Sequence, residues 1–480
     1  MSENNLEKVF PFIKLFKTHK CCYIYDVNQN YFYKISKELY DFFEHGSENQ
    51  IYPPSKQLLS EISSIKDKGG LSSHRPQRIT HYATEHIEYY LNHRIKSITL
   101  QLTQQCNLRC TYCIYSETAN QYQRSHTVNR MSFEVAKKAL DFFVRCSDDL
   151  ESVNVGFYGG EPLLEYKLIQ KCVQYLQQNY PERKISYSMT SNGTLLNYEI
   201  IDFLVNNKFT LMISLDGPQK INDRNRRFKK DGSGTFGAVM ENLNIIAKDY
   251  PDYLKYVKIS VVIDPENDYN EVRDFVDGIS KSWGISAHVS MIDDTYSAQK
   301  RRTNFDYIDK NKTELARDFL KTIWGSSCAV SQMSQRYLDD VKRVREGVGD
   351  IEELPQSLSP SGPCVPGKER LFVNVYGDFY PCERVSEMSS VMKIGTIDKG
   401  FDYEKVKTLL NVANITNESC LSCWAMRHCT QCIKYADNGF ELNKDKRLNR
   451  CSRVIAQVEE KMLDYLMFCE MEYIYGKTIL

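Results

Sequence analysis

Cys106, Cys110 and Cys113 follow one another in a C-x3-C-x2-C spacing, directly after the β-prone run Ser97–Thr103. Three thiolates can hold three irons of a [4Fe–4S] cube and leave the fourth iron open to a cofactor or substrate, whereas a plain electron carrier uses four thiolates. Zinc would need a fourth ligand, and no histidine stands nearby to supply it. A second cysteine field lies far downstream: Cys364-x17-Cys382, then Cys420-x2-Cys423-x5-Cys429-x2-Cys432, then Cys451. Its CxxC steps are also those of zinc ribbons, but the upstream triad weights the field towards iron and sulfur. Of the other cysteines, Cys146, Cys172 and Cys469 fall in helical stretches as small hydrophobes, and nothing is assigned to Cys21 and Cys22.

The triad needs a scaffold, and the run from about 95 to 315 supplies one. Ser97–Thr103, Val153–Tyr158, Ile185–Thr190, Leu211–Leu215, Val257–Ile263 and Ile285–Met291 read as strands. Between the first two, Phe133, Ala136, Leu140 and Phe143 share one helical face; between the next two, Leu168, Ile169, Cys172, Val173 and Leu176 do the same. Six strands alternating with helices imply an α/β fold, a parallel sheet open or curved into a partial (β/α)6 barrel. Reactive groups in such folds stand at the C-terminal ends of the strands, which is where the cysteine triad falls. Residues 9–90 read as a small α+β unit. Tyr23–Tyr25 and Tyr31–Tyr33 flank a hairpin turn at Asp26–Asn30, and two helical stretches follow, the first capped by Ser36. Helical residues after 315, a Pro/Ser/Gly-rich boundary at Pro355–Pro366 and a terminal helix over 452–480 complete the chain. The expected division is 1–90, 91–315, 316–363 and 364–480.

At 480 residues the chain is long enough for two or three domains. Lys+Arg and Asp+Glu both number 62, and this balance argues against nucleic acid or an anionic membrane surface as the main partner. No window approaches a membrane-spanning apolar run. Met1–Asn5 has neither a basic nor an apolar signal region, so a cytoplasmic location is expected. Sixteen cysteines in that reducing compartment are thiols or metal ligands, not disulfides.

The cysteine spacing resembles the radical S-adenosylmethionine (SAM) superfamily, and the resemblance extends motif by motif. Gly159-Gly160-Glu161-Pro162 ends strand two, Ser191-Asn192-Gly193 follows strand three, and Ser214-Leu215-Asp216-Gly217-Pro218 ends strand four. The resemblance implies that Gly159 and Gly160 let backbone approach the methionine end of SAM, with Glu161 and nearby carbonyls receiving its ammonium. Ser191, Asn192, Ser214 and Asp216 would face its ribose and carboxylate. Arg226 would pair with that carboxylate, and the backbone of Tyr112 would meet the adenine. The implied chemistry is reductive cleavage of SAM to a 5′-deoxyadenosyl radical that takes hydrogen from unactivated carbon.

The downstream field resembles the SPASM domain of peptide-modifying radical SAM enzymes, which implies two auxiliary [4Fe–4S] clusters and three in all. That topology gives Cys420, Cys423, Cys429 and Cys451 to one cluster, and Cys364, Cys382 and Cys432 to the other. The spacing departs from the pattern: C-x2-C replaces C-x3-C near the end, and Val365–Leu371 lacks the extra cysteine of sulfatase-type maturases. The second auxiliary cluster thus has either a vacancy for a substrate thiolate or a fourth ligand from elsewhere, Cys328 first. Glu383 holds the place of an acidic residue that could take up the proton released in bond formation. Residues 9–90 resemble the winged-helix-like recognition element of ribosomal-peptide maturases, where a strand edge could pair with a leader peptide.

Taken together, the chain resembles the maturases of cysteine-rich peptides, of the ranthipeptide and freyrasin type. The implied reaction is a thioether crosslink from a peptide cysteine to carbon, on a ribosomal precursor peptide, with an external reductant of flavodoxin or ferredoxin type. The alternatives are a carbon–carbon crosslinking maturase, a formylglycine-forming sulfatase maturase, and a non-catalytic iron–sulfur scaffold.

Overall fold

The computed structural model describes residues 10–45, 54–115, 123–297, 304–324, 330–349, 353–360, 362 and 364–475. It opens with an antiparallel meander, β1 (Ile13–Lys17), β2 (Cys22–Asp26) and β3 (Tyr31–Ile35), whose Tyr, Phe and Ile content favours strands. The β2–β3 turn closes where the sequence puts its Asp and Asn residues. Asp26 accepts from Gln29 N (3.0 Å) and Leu71 N (2.7 Å), and Asn30 takes the positive φ of 54° that asparagine tolerates. Helices Lys37–His45 and Lys56–Asp67 follow, and Ser36 caps the first by accepting from Leu39 N at 3.1 Å.

The central sheet contains β4 (Ser97–Thr103), β5 (Ser152–Gly159), β6 (Lys184–Ser191), β7 (Thr210–Ser214), β8 (Val257–Ile263) and β9 (Ser286–Met291), all parallel and in sequence order. Consecutive order, with a helix after each strand, is the order of a barrel and not of a doubly wound sheet. Side chains alternate across each strand. Ile98, Leu100, Val155 and Phe157 belong to the main apolar core, while Gln101 and Tyr158 pair in register on the opposite row.

Nothing in the sequence shows that the C-terminal part extends this same sheet. β10 (Leu371–Val373) pairs parallel with β4, and β11 (Asp378–Tyr380), β12 (Gly395–Thr396) and β13 (Gly400–Phe401) add on antiparallel, giving ten strands. Strands of two or three residues are too short to show an alternating pattern. The cysteine field is therefore attached directly along the strand that leads to the cysteine triad. A second apolar core joins Phe12, Phe16, Tyr23 and Tyr25 of the N-terminal unit to Met426 and to Val458, Met462 and Leu466 of the last helix, Cys451–Tyr475. Among the described residues no helix is long and apolar enough to cross a membrane.

Candidate active site at the strand ends

The loop after β4 is pinned by backbone bonds to the segment behind helix Gln219–Asn225: Arg109 N to Arg227 O (2.9 Å), Thr111 N to Asn225 O (3.0 Å) and Lys229 N to Asn107 O (2.8 Å). Pinning the loop keeps its three cysteines near one another. Burial pushes the thiols of Cys106 and Cys110 up to about 12 and raises Cys113, and neighbouring sulfurs add to the shifts of the first two. As bare thiols they stay neutral; a bound metal group would displace those protons. Cys106 Sγ accepts from Leu108 N (3.4 Å) and lies 4.0 Å from Asn192 Nδ2.

The expectation that no histidine lies near the triad does not hold. A histidine does stand beside the triad: His126 Nε2 is 4.0 Å from Cys113 Sγ, brought in by the chain returning from the loop. Its pKa is lowered to about 4, by burial first and then by Arg109 and Arg124, so the ring is neutral. Among the described residues no three His, Cys, Asp or Glu side chains converge on a single-ion site.

The glycine pair has a packing reason that can be stated. A Cβ on Gly160 would stand 2.0 Å from Gln105 O, and one on Gly159 would stand 2.4 Å from Thr103 O. The two glycines thus let the end of β5 lie flush on the stem of the cysteine loop, with Gly160 N bonded to Thr103 O and Glu161 N to Gln105 O, both 2.9 Å. Glu161 is 1% exposed and turns its carboxylate to the end of β6, accepting from Asn192 N (2.7 Å), Ser191 Oγ (2.8 Å) and Leu163 N (3.0 Å). Burial raises its pKa to about 7 against those three bonds. Asn192 also donates to Asn107 Oδ1 (2.8 Å), tying β6 to the cysteine loop.

Asp216 and Arg226 form a buried, two-pronged ion pair (Nε–Oδ2 2.9 Å, Nη2–Oδ1 3.2 Å), and the Tyr112 hydroxyl and Val262 N also donate to Asp216. The Arg226 guanidinium lies over the Tyr112 ring at 5.4 Å. Ser214 sits at the end of β7, in register with Ser260. Beside them Asn225 Nδ2 is buried with no partner among the described residues. Free thiols beside an orphaned buried donor fit a cluster with a polar small molecule on it.

Residues 100–279 match the Radical SAM superfamily. The solved structure of native anSMEcpe with bound AdoMet superposes with a TM-score of 0.57 at 21% identity, covering 79% of this chain and 99% of that one. Residues 100–279 form a radical SAM domain. The chain thus carries the domain of that superfamily. It is 35% identical over 144 residues to the serine-type anaerobic sulfatase-maturating enzyme of Bacteroides thetaiotaomicron, covering 30% of this chain and 34% of that one. It is 25% identical over 295 residues to the radical SAM cyclopropyl synthase TigE of Paramaledivibacter caminithermalis (58% and 55%). To the cysteine-type anaerobic sulfatase-maturating enzyme of Clostridium perfringens, strain ATCC 13124, it is 24% identical over 342 residues (68% and 84%). The chain thus spans about a third to just over half of the first two relatives, and most of the third.

Beyond the radical SAM domain, the downstream thiols fall into two groups. Cys423 is pushed up to about 11 by burial and then by Cys429, Cys420 and Cys451; Cys429 and Cys451 rise likewise, each with Cys420 among its causes. Burial raises Cys382 to about 12, with Glu383 and Cys432 adding to it, and burial raises Cys364 with Cys432 adding to it. Cys328 lies outside the described residues. Glu383 is ion-paired with Arg370, with Arg384 at 3.8 Å, and its Oε2 is buried without a partner among the described residues.

Sequence reasoning missed a hub between the two cysteine regions. The Glu387 side chain, 4% exposed, accepts from Gln101 Nε2 (2.5 Å), Arg124 Nε (3.0 Å) and Tyr115 OH (3.3 Å). Arg124, 7% exposed, stacks on the Tyr115 ring at 3.9 Å and has one Nη2 without a partner among the described residues. The hub joins β4, the cysteine loop and the segment after Cys382. No spacing in the sequence could announce a contact between positions 124 and 387.

Proposed function

We propose that this enzyme is a peptide maturase that joins a cysteine sulfur to carbon in a ribosomal, cysteine-rich precursor peptide. The observation that carries the reading is the juxtaposition of Cys364, Cys382 and Cys432 with Glu383, on a segment built onto the strand that leads to the triad. Cys106, Cys110 and Cys113 would hold the SAM-binding [4Fe–4S] cluster. Cys420, Cys423, Cys429 and Cys451 would hold one auxiliary cluster, and Cys364, Cys382 and Cys432 another, whose remaining corner takes a peptide thiolate. Held by these residues, the clusters and SAM would supply one-electron radical chemistry at unactivated carbon.

The chain's own residues then have distinct tasks. Asn225, Ser191, Asn192 and Ser214 line the pocket for SAM; Glu161 and the Asp216–Arg226 pair hold those strand ends in place. Glu383, whose Oε2 has no partner among the described residues, would receive the thiol proton. Residues 1–90 would recognise the leader, with 91–315 as the radical SAM unit, 316–363 as a bridge and 364–480 as the SPASM unit. An external flavodoxin- or ferredoxin-type reductant would supply electrons in a reducing cytoplasm.

Co-expression with a cysteine-rich peptide encoded beside its gene tests this. The product should lose two hydrogens and one alkylatable thiol per bond. A second reading is favoured by the similarity to a cysteine-type sulfatase-maturating enzyme over 84% of that protein. It predicts a hydrazide-reactive aldehyde instead, and that product would replace the thioether proposal. Loss of two hydrogens with every thiol intact would point to carbon–carbon bonding.

A further inference from the structure

Arg447 heads the large side chains that are fully buried among the described residues, at 1% exposure on the short helix Lys444–Leu448. Its Nε donates to Thr416 Oγ1 (3.2 Å) and its Nη2 to Pro360 O (2.9 Å), both neutral oxygens. Its Nη1 has no partner among the described residues, and no carboxylate there forms an ion pair with it. A guanidinium does not shed its proton, and an unmet charge in the interior is strongly destabilising. A fold that keeps such a cation must meet it with negative charge.

The surroundings show where that charge would come from. Thr416 Oγ1, which takes the Nε bond, is 3.3 Å from Cys420 Sγ. Cys451 Sγ lies 3.8 Å from Arg447 O, and Gln431 Nε2 donates to that same carbonyl (3.0 Å) while standing 4.0 Å from Cys451 Sγ. Four cysteine thiolates around an iron–sulfur cube carry net negative charge, and its reduced state carries one more.

We infer that Arg447 is the built-in counter-cation of the cluster held by Cys420, Cys423, Cys429 and Cys451, stabilising its reduced state and so raising its reduction potential. The inference rests on the cluster assignment proposed above and adds a residue that ligates nothing. The opposite face of the same physics is that Arg447 burdens the iron-free chain, where its charge is unmet.

The test uses the full chain, anaerobically reconstituted with iron and sulfide, with Cys420→Ala, Arg447→Lys and Arg447→Met variants. Iron content, EPR-monitored potentiometry and thermal unfolding are measured with and without iron. Arg447→Met should either lose one cluster's iron or keep it at a lower midpoint potential, while Arg447→Lys stays near the wild type. Without iron, Arg447→Met should be at least as stable as the wild type. If Cys420→Ala loses no iron, the cluster assignment fails and takes the inference with it. If Cys420→Ala loses a cluster but Arg447→Met leaves iron and every midpoint potential unchanged, the inference alone is overturned. An iron-free Arg447→Met chain that is less stable than wild type, or unfolded, marks a merely structural arginine and also overturns it.

Discussion

At the scale of single residues, the site is dominated by groups whose ordinary charge state is opposed by burial. Glu161 is the clearest. Its folded pKa of about 7 exceeds the usual 4.5, so folding favours its protonated form. The sign follows: its contribution is fully favourable below about 4.5 and is lost as pH rises towards 7. With about 1.4 kcal/mol per unit, that loss amounts to roughly 3 kcal/mol. Glu161→Gln removes the titration, so the stability difference between variant and wild type should move in the variant's favour by up to that amount between pH 4.5 and 7.5. Parallel urea titrations of the iron-free proteins read this directly, and a flat difference would mean that the three donors to Glu161 already keep it ionised.

The Arg124–Glu387 pair behaves differently, because each partner answers the other's buried charge. Arg124→Met alone should cost about 3–5 kcal/mol by leaving Glu387 unpaired. The Arg124→Met/Glu387→Gln double variant should cost less than the sum of the singles. A double-mutant cycle on chemical unfolding gives the coupling, and additivity within a few tenths of a kcal/mol would show that the pair is not linked.

At the scale of elements, close approach of backbone decides more than side-chain chemistry does. Gly160→Ala places a methyl group 2.0 Å from the carbonyl of Gln105, a clash with backbone that no rotamer relieves. Overpacking of this kind costs about 1–3 kcal/mol or more, and the shifted part is the stem of the cysteine loop, so iron binding at Cys106, Cys110 and Cys113 should fall with it. Gly278→Ala is the matched control: it lies in helix Tyr269–Trp283 with nothing within 4 Å of the new methyl group, and should gain about 0.5–1 kcal/mol. Melting temperature and iron content of the two variants separate the effects.

The same contrast explains what could be read from the chain. The six parallel strands were legible because each is a short run rich in apolar residues and helical stretches separate them, and β4 and β8 appear at the residues expected. The cysteine spacing and the glycine pair were legible because both are local. What escaped is non-local: β10 docking on β4, His126 returning to Cys113, and the meeting of Arg124 with Glu387. Each is fixed by tertiary packing between positions far apart in sequence, where neither periodicity nor motif carries information.

At the scale of the whole molecule, the N-terminal unit is part of the body that holds the downstream cysteines. Phe16 meets Phe32 edge to face at 5.4 Å and Trp424 at 5.7 Å, and Trp424 follows Cys423 directly. Tyr25 OH lies 3.1 Å from His428 Nε2, beside Cys429. Arg427 reaches across to the β2–β3 turn, donating to Val27 O at 2.9 Å. The face of the meander therefore forms one wall of the region proposed to hold an auxiliary cluster. Removing residues 1–90 outright would strip that wall, so loss of peptide handling in such a truncation would not by itself identify a recognition element. Phe16→Ala is the sharper probe. Truncating a buried phenylalanine costs about 3–5 kcal/mol, and here the cavity opens onto Trp424. The expected result is a lowered melting temperature together with reduced iron at Cys420, Cys423, Cys429 and Cys451, while the share bound by Cys106, Cys110 and Cys113 is unchanged. Iron quantification in a Cys106→Ala/Cys110→Ala/Cys113→Ala background isolates the downstream share. If adding Phe16→Ala to that background leaves the downstream share as it was, the N-terminal unit and the cysteine field are energetically separate despite their common core.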